Sequence, residues 1–371
     1  MIAYIVRRLV LLVPTLFVIM LINFVILQFL PGGPVEQIIA ELTGEGAAIT
    51  ERVTRSGSSE ISAQTGGGAQ VTGEGPRGTY RGAQGLDPAF IADLEKQFGL
   101  DKPMHERFFL MMRNYLVFDF GDSFFRDQSV VELMLSKMPV SISLGLWSVL
   151  IIYLVAIPLG VAKAVRDGSR FDIWTSAVVV VATAIPGFLF AVLLLVVFAG
   201  GVYFDLFPLS GLTSVGWETL PLYEKVLDYL WHLVLPILAL SIGGFAGLTM
   251  LTKNSFLDQI GQQYVVTARA KGLAERRVLY GHVFRNAMLI VVSGFPAVLI
   301  GLLFTGNVLI EVIFSLDGLG LLGFEAVFNR DYPIVLGTLY FFTLFGLLMG
   351  LVTDLTYTLI DPRIDFETRE T

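Results

Sequence analysis

Apolar and polar positions in this chain alternate on a long scale. Stretches of membrane length are separated by short polar segments, and the first, Leu9–Leu30, follows the pair Arg7–Arg8. A helix that crosses a bilayer needs about 20 apolar residues. Five more stretches meet that length: Val140–Val161, Ile173–Val202, Trp231–Leu251, Ala287–Leu309 and Ile334–Tyr357. The third is long enough to tilt or to emerge partly at one face. A cleaved export signal has an apolar core of about 7–15 residues and a small-residue cleavage site. The first stretch is longer and runs into PGGP, which predicts an uncleaved span.

One interval, Pro31–Pro139, breaks the rhythm. Its part from about 40 to 85 is rich in Gly, Ser and Thr ("SGSSEISAQTGGGAQVTGEGPRGTYRGAQG") and predicts a mobile loop. From Asp87, a plausible N-cap ahead of Pro88, "AFIADLEKQFG" has the spacing of a short amphipathic helix ending at Gly99. "MHERFFLMMRNYLVF" keeps apolar residues at helical spacing, so about 87–138 reads as helical. It would pack on the outer mouth of the membrane domain or lie on the lipid interface.

Composition agrees with several spans. The chain of 371 residues is 54% hydrophobic and 15% charged, with mean hydropathy +0.72, where a soluble domain carries about 25% charged residues. The expected fold class is all-α integral membrane with six transmembrane helices. Basic residues of short loops mark the cytoplasmic side. Lys163, Arg166 and Arg170 lie between spans two and three, and Lys253 with Arg269, Lys271, Arg276, Arg277 and Arg285 between spans four and five. Asp205–Tyr229 and Glu311–Asp331 are acidic by contrast. Both termini are therefore expected inside, with the long segment between helices 1 and 2 on the periplasmic side. The division expected is 1–30, 31–139, 140–360 with a cytoplasmic loop at 253–286, and a cytoplasmic tail 361–371. No cysteine is present, so no disulfide or thiol chemistry is available. His105, His232 and His282 lack ligand spacing, and no metal site is expected.

The first five spans each hold an internal proline: Pro14, Pro158, Pro186, Pro236 and Pro296. Small residues recur four apart at Ser141/Gly145, Gly187/Ala191, Gly243/Gly247, Ala297/Gly301 and Gly346/Gly350. Such pairs let helix backbones approach and prolines bend helices, although membrane helices carry both often. No Asp, Glu, Lys or Arg falls within the apolar part of a span; Asp354 is close to the inner end of the last. Asn23, Gln28 and Asn307 are the polar exceptions and read as interhelical hydrogen bonds. An ion-coupled carrier or channel usually keeps an ionisable group near the midplane, which counts against that alternative. An intramembrane enzyme would need a paired nucleophile and base, and Ser141, Ser143 and Ser148 have no evident base. No G-x-x-x-x-G-K-[ST] loop for ATP phosphates is present. If the chain pumps, its energy source sits on another polypeptide.

"QYVVTARAKGLAERRVLYGHVFRNAM", Gln263–Met288, is the segment that has to be explained. Thr267–Lys271 is helix-competent with Ala268 and Ala270, and Gly272 is a C-cap candidate. Leu257, Ile260 and Tyr264 lead in at helical spacing. The residues alone leave two readings open: a stiff element that docks on a soluble ATPase, or a basic loop resting on anionic lipid.

"YVVTARAKGL", with "HVFRNAM" starting ten residues after its glycine, resembles the cytoplasmic coupling-loop signature of ATP-binding-cassette importer permeases in its peptide-importer form. The general signature opens Glu-Ala-Ala, with Gly four residues after the second Ala and Leu-Pro further on. Here Val266 and Thr267 replace the first two residues, Ala268 and Gly272 match, and Phe284–Arg285 replaces Leu-Pro. "YIVRRLVLLVPTLFVIMLINF", "LPGGP", "FDFGDS" at Phe118–Ser123, "GLGLLGFEAVFNRDYP" at Gly318–Pro333 and "YTLIDPRI" at Tyr357–Ile364 are similar too, although Gly33 stands where many members have Asp. The resemblance covers nearly all of the chain except roughly Ala40–Gly85 and is closest to the YejB-type subgroup of the oligopeptide and dipeptide branch. It implies the type I importer permease fold and a non-enzymatic subunit for peptides or peptide-like solutes. The implied partners are a second homologous permease, two cytoplasmic ATP-binding-cassette subunits that bind the ATP, and a periplasmic solute-binding protein, with no cofactor on this chain and no nucleic acid. The implied coupling residues are Tyr264, Thr267, Ala268, Arg269, Ala270, Lys271, Gly272, Arg285 and Asn286.

Overall fold

The computed structural model describes residues 2–29, 33–42, 88–201, 203–304 and 308–360. The Gly/Ser-rich stretch, Asp87, Asn307 and the tail from 361 lie outside them. The helices are α1 (Ile2–Phe29), α2 (Pro34–Leu42), α3 (Pro88–Gln97), α4 (Met104–Tyr115), α5 (Val130–Val165), α6 (Arg170–Ala184), α7 (Gly187–Phe198), α8 (Leu222–Ile260), α9 (Gln263–Ala270), α10 (Glu275–Val278), α11 (Phe284–Phe304), α12 (Val308–Ile313), α13 (Leu319–Phe328) and α14 (Tyr332–Ile360). Among the described residues β pairing is confined to the isolated bridge Asp122–Ser129.

Among the described residues five helices are long and apolar enough to cross a membrane, or six spans result if the bent pair α6–α7 counts as one. The third apolar run, expected as a single helix, is broken by 95°. Proline disfavours helical backbone in the residue before it, and Ile185 is extended there (φ −90°, ψ 118°). Pro186 lacks an N–H to continue α6 and instead precedes the first turn of α7. Pro14, Pro158, Pro236 and Pro296 stay inside continuous helices. At 36 and 39 residues, α5 and α8 are about 54 and 58 Å long, against a hydrocarbon layer of about 30 Å. Their ends therefore carry charged residues beyond the apolar windows.

The chain forms two compact units. The first is drawn from Met1–Leu16, Glu132–Phe324 and Phe341–Thr371, and its spine is the seam between α5 and α8. A Cβ on Gly244 would lie 2.7 Å from Ile152 Cδ1, and one on Gly160 would lie 2.6 Å from Thr252 Cβ and 2.8 Å from the Thr249 carbonyl. Both helices advance eight residues between these contacts, so they run side by side in the same direction. The intervening segment, α6, α7 and the loop after them, therefore returns the chain from one end of the seam to the other. The glycines at the seam are not those picked out by four-residue spacing: Gly243, Gly247, Gly301, Gly346 and Gly350 meet nothing within 4 Å.

Two apolar cores flank the seam. One joins Leu144 of α5, Ala191 and Leu194 of α7, Leu233–Ala239 of α8 and Ile310 of α12. The other joins Val161 and Ala164 of α5, Phe256 of α8 and Val265, Ala268, Val278, Val283, Ala287, Met288 and Val291 of the segment that follows. At the termini, Tyr4 Oη donates to Asp354 Oδ2 at 2.9 Å and Arg8 pairs with the same oxygen at 2.6 Å.

The second unit comprises Phe17–Val131 and Glu325–Tyr340. Val35 and Ile39 of α2 close on Leu94 and Phe98 of α3. Phe108 of α4 packs between Phe17 and Phe24 of α1, and Arg107 donates to Gln28 at 2.6 Å. The apolar spacing predicts helix to about 138, but Leu116–Ser129 is an ordered loop, with Phe118 and Gly121 at positive φ. Tyr115, Phe120 and Tyr340 form an aromatic cluster, while Asp331 accepts from the Ser123 hydroxyl and the Phe124 N–H and Arg126 pairs with Glu325.

Candidate functional site

The basic segment that follows α8 folds as a tight hairpin of short helices on the first unit. Gly261 caps α8 and Gln262 is extended (φ −76°, ψ 150°), which turns the chain before α9 begins. An isolated eight-residue helix is unstable in water, so α9 depends on the surface it covers. Val265 is fully buried and Ala268, one turn on, is 7% exposed. Both face the core of Val161, Ala164 and Phe256. Burial of Val265 contributes about 1.5–3 kcal/mol. Tyr264 is half-buried in the same core and its hydroxyl donates to Gln259 Oε1 at 2.9 Å.

The end of α9 is a Schellman turn. Gly272 has φ +79°, a left-handed conformation that an L side chain opposes. The Gly272 N–H donates to the Arg269 carbonyl at 2.9 Å and the Leu273 N–H to the Ala268 carbonyl at 3.3 Å, the paired bonds of that motif. Leu273 then packs back onto the core. Arg269 closes the hairpin with two contacts to the Glu275 carboxylate, at 2.8 and 3.2 Å.

Of the residues expected to act in coupling, Thr267, Arg269, Ala270, Lys271 and Gly272 are exposed on α9 and its cap, and Arg285 and Asn286 on the first turn of α11. Ala268 and Tyr264 turn toward the chain's own core. Among the described residues Lys271, Arg276, Arg277 and Arg285 make no side-chain hydrogen bond or ion pair. Gly272, Leu273, Ala274, Arg276, Arg277 and Tyr280 line an open cleft of about 640 Å³ beside the turn. The exposed face therefore offers small side chains, a glycine corner and free cations. The return limb, α10, passes through one turn of π-helix, Leu279–Val283, before α11. A π turn inserts an extra residue and is frequent at functional sites; nothing in the pattern of the residues marked it. Ser255 of α8 donates to the Ala287 carbonyl of α11 at 2.6 Å and ties the two limbs at their base.

The likeness to known proteins covers nearly the whole chain. Residues 156–366, more than half of it, match the family model described as binding-protein-dependent transport system inner membrane component. The peptidoglycan transport system permease protein YejB of Agrobacterium fabrum is 58% identical over 99% of this chain and 99% of its own length. The chain is a binding-protein-dependent inner-membrane permease. The inner membrane ABC transporter permease protein YejB of Escherichia coli O157:H7 is also 58% identical to this permease, over 99% of this chain and all of its own. The oligopeptide transport system permease protein AppB of Bacillus subtilis is 34% identical over 76% of this chain and 88% of its own. The permease is a transport subunit of the ATP-binding-cassette class and not itself an enzyme. Its import system depends on ATPase and solute-binding partners. Membership sets aside the carrier, channel and intramembrane-enzyme alternatives.

Among the described residues of this permease, Lys163, Asp172 and Glu311 are buried charged groups that the sequence pattern does not reveal. Lys163 is wholly buried and paired with Asp172 at 3.0 Å; both lie just outside the apolar windows, on helices that outrun them. Glu311 reads in sequence as an acid of an exported loop but is wholly buried. Its Oε2 accepts the Leu321 N–H at 2.7 Å, on the first turn of α13. Ser141, which has no evident base in sequence, lies with its hydroxyl 3.5 Å from Glu311 Oε1 and accepts the Leu319 N–H at 2.9 Å. The Glu311 carboxylate and the Ser141 hydroxyl are thus each engaged by a backbone N–H of the start of α13 and seat that helix end. A Cβ on Gly318 would lie 2.5 Å from this carboxylate, which explains the glycine there.

Proposed function

We propose that this permease forms, with a second related permease, the membrane pathway of an importer for peptides or peptidoglycan-derived solutes. Two cytoplasmic ATP-binding-cassette subunits bind the ATP, and a periplasmic solute-binding protein delivers cargo to a chain whose termini face the cytoplasm. The wording of the family and the names of the 58% and 34% identical relatives support the partners and the cargo. Arg166 and Arg170 at the turn from α5 to α6 and the basic residues after α8 support the orientation.

Force enters through the hairpin. Tyr264 and Ala268 seat α9, while Thr267, Arg269, Ala270, Lys271 and Gly272 face the ATPase, flanked by Arg285 and Asn286. The observation that carries this reading is the geometry of α9. Its buried side shares one core with α5, α8 and α11, and its opposite side is uncovered, glycine-cornered and cationic. A push on it reaches three helices at once.

Gly272→Trp tests the reading in the complete transporter reconstituted in liposomes, with a radiolabelled tripeptide and a radiolabelled disaccharide-peptide as cargo. ATP hydrolysis continues and uptake of the cargo that the wild type carries falls at least about tenfold, within the roughly 5–150-fold range of a coupling free energy. Unchanged uptake per ATP hydrolysed refutes the coupling role of the turn.

A further inference from the structure

A second charged cluster of the first unit lies outside the hairpin. The Lys163 ammonium of α5 donates to the Asp172 carbonyl at 3.0 Å, Thr175 Oγ1 at 2.9 Å and Ser176 Oγ at 2.7 Å, and pairs with Asp172 Oδ1 at 3.0 Å. Lys253 of α8, its side chain 11% exposed, pairs with Asp172 Oδ2 at 2.7 Å and with Asp167 at 2.9 Å. The Gly168 N–H also donates to Asp172 Oδ2, at 3.2 Å. One carboxylate near the start of α6 thus holds ammonium groups from two other helices, and two lysines balance two aspartates.

The location gives this bridge a consequence. Lys253 precedes Ile260, the last residue of α8 before the chain turns into α9, by two helical turns. Val161 and Ala164, on either side of Lys163, belong to the core that backs α9. Asp172 belongs to the first half of the span that breaks at Ile185–Pro186. Its second half, α7, packs in the other core.

We propose that Asp172 and Lys253 are positioning residues of the transport cycle, fastening α6 to α5 and α8 so that a displacement entering at α9 carries α6 with it while the elbow at Ile185–Pro186 absorbs the change of angle to α7. The direction of input rests on the hairpin reading above; the fastening itself does not. The two residues differ in what their loss leaves behind. Without Asp172 a buried lysine has no counter-ion. Lys253→Met leaves the Lys163–Asp172 pair intact and releases the hold of α8 on Asp172, together with its pair to the exposed Asp167.

The test uses the complete transporter with its ATPase subunits and this cysteine-free chain, carrying one spin-label pair at R170C and N254C and another at W174C and L193C. Between nucleotide-free and ATP-trapped states the α6–α8 pair stays within the roughly 1–2 Å of a helix shift while the pair across the elbow moves by more. In the K253M background the α6–α8 distance changes by about a helical turn, ~5 Å, and K253R restores the constant distance. An α6–α8 distance that changes in the wild type, or one that K253M leaves constant, overturns the proposal. If K253M does not assemble, the wild-type distances decide alone. A constant α6–α8 distance alongside an inert Gly272→Trp substitution leaves the fastening standing and removes only the hairpin as its input.

Discussion

Along the α5–α8 seam, the end at Leu144 and Leu233 and the end at Val161 and Phe256 solve the same packing problem differently. At the first, α7 and α12 complete a core of Leu, Ile, Ala and Phe, and a single buried acid, Glu311, is spent on the start of α13. At the second, the core is topped by an ionic bridge, and the chain covering it, α9, contributes only two fully inward residues, Val265 and Ala268. Apolar interdigitation resists deformation from every direction because protein interiors are close-packed. A bridge of charges and a thinly attached hairpin transmit displacement instead. The difference teaches where this permease is built to hold its shape and where it is built to be moved.

The strongest way to break that contrast is Asp172→Asn, which leaves Lys163 buried without a counter-ion. Loss of one partner of a buried ion pair costs about 3–5 kcal/mol. Thermal unfolding in detergent should show this as a large drop in midpoint, and a variant as stable as the wild type would show that the bridge is ornamental. At the opposite end, Gly318→Ala drives a methyl into the Glu311 carboxylate. Overpacking costs about 1–3 kcal/mol, and denaturant titration should register it without loss of ATPase binding. A neutral result would mean that α13 is not seated by Glu311. The smallest effect belongs to Glu275→Ala, which removes the exposed Arg269 pair across the hairpin. Such pairs contribute under about 1 kcal/mol, so its stability should match the wild type within error. A substantial loss would show that the hairpin is held by charge rather than by Val265.

Much of the fold is legible in sequence because membrane helices announce themselves by apolar length, a signal each stretch carries alone. The turn at Gly272 was legible for a similar reason, since a left-handed helix end asks for glycine locally. What escaped depends on partners far apart in the chain. Lys163, Asp172 and Lys253 look like three ordinary loop charges until α5, α6 and α8 bring them within 3.0 Å. The tight approaches of Gly160 and Gly244 follow from the relative rotation of two helices, which residue spacing on one helix does not encode. Pro186 marked a bend, but whether a proline kinks or breaks a helix depends on what receives the second half. The inward face of α9 was hidden for the same reason: eight residues carry too few apolar positions to say which side finds a core.

That inward face has an engineering meaning. Buried in the core that Val161 and Ala164 of α5 and Phe256 of α8 share, Ala268 works as a shim that fixes the standoff between the nub and the helices behind it. A glycine at that position would let the nub sink, and a valine would jack it outward, so a single side-chain size sets the throw of the lever.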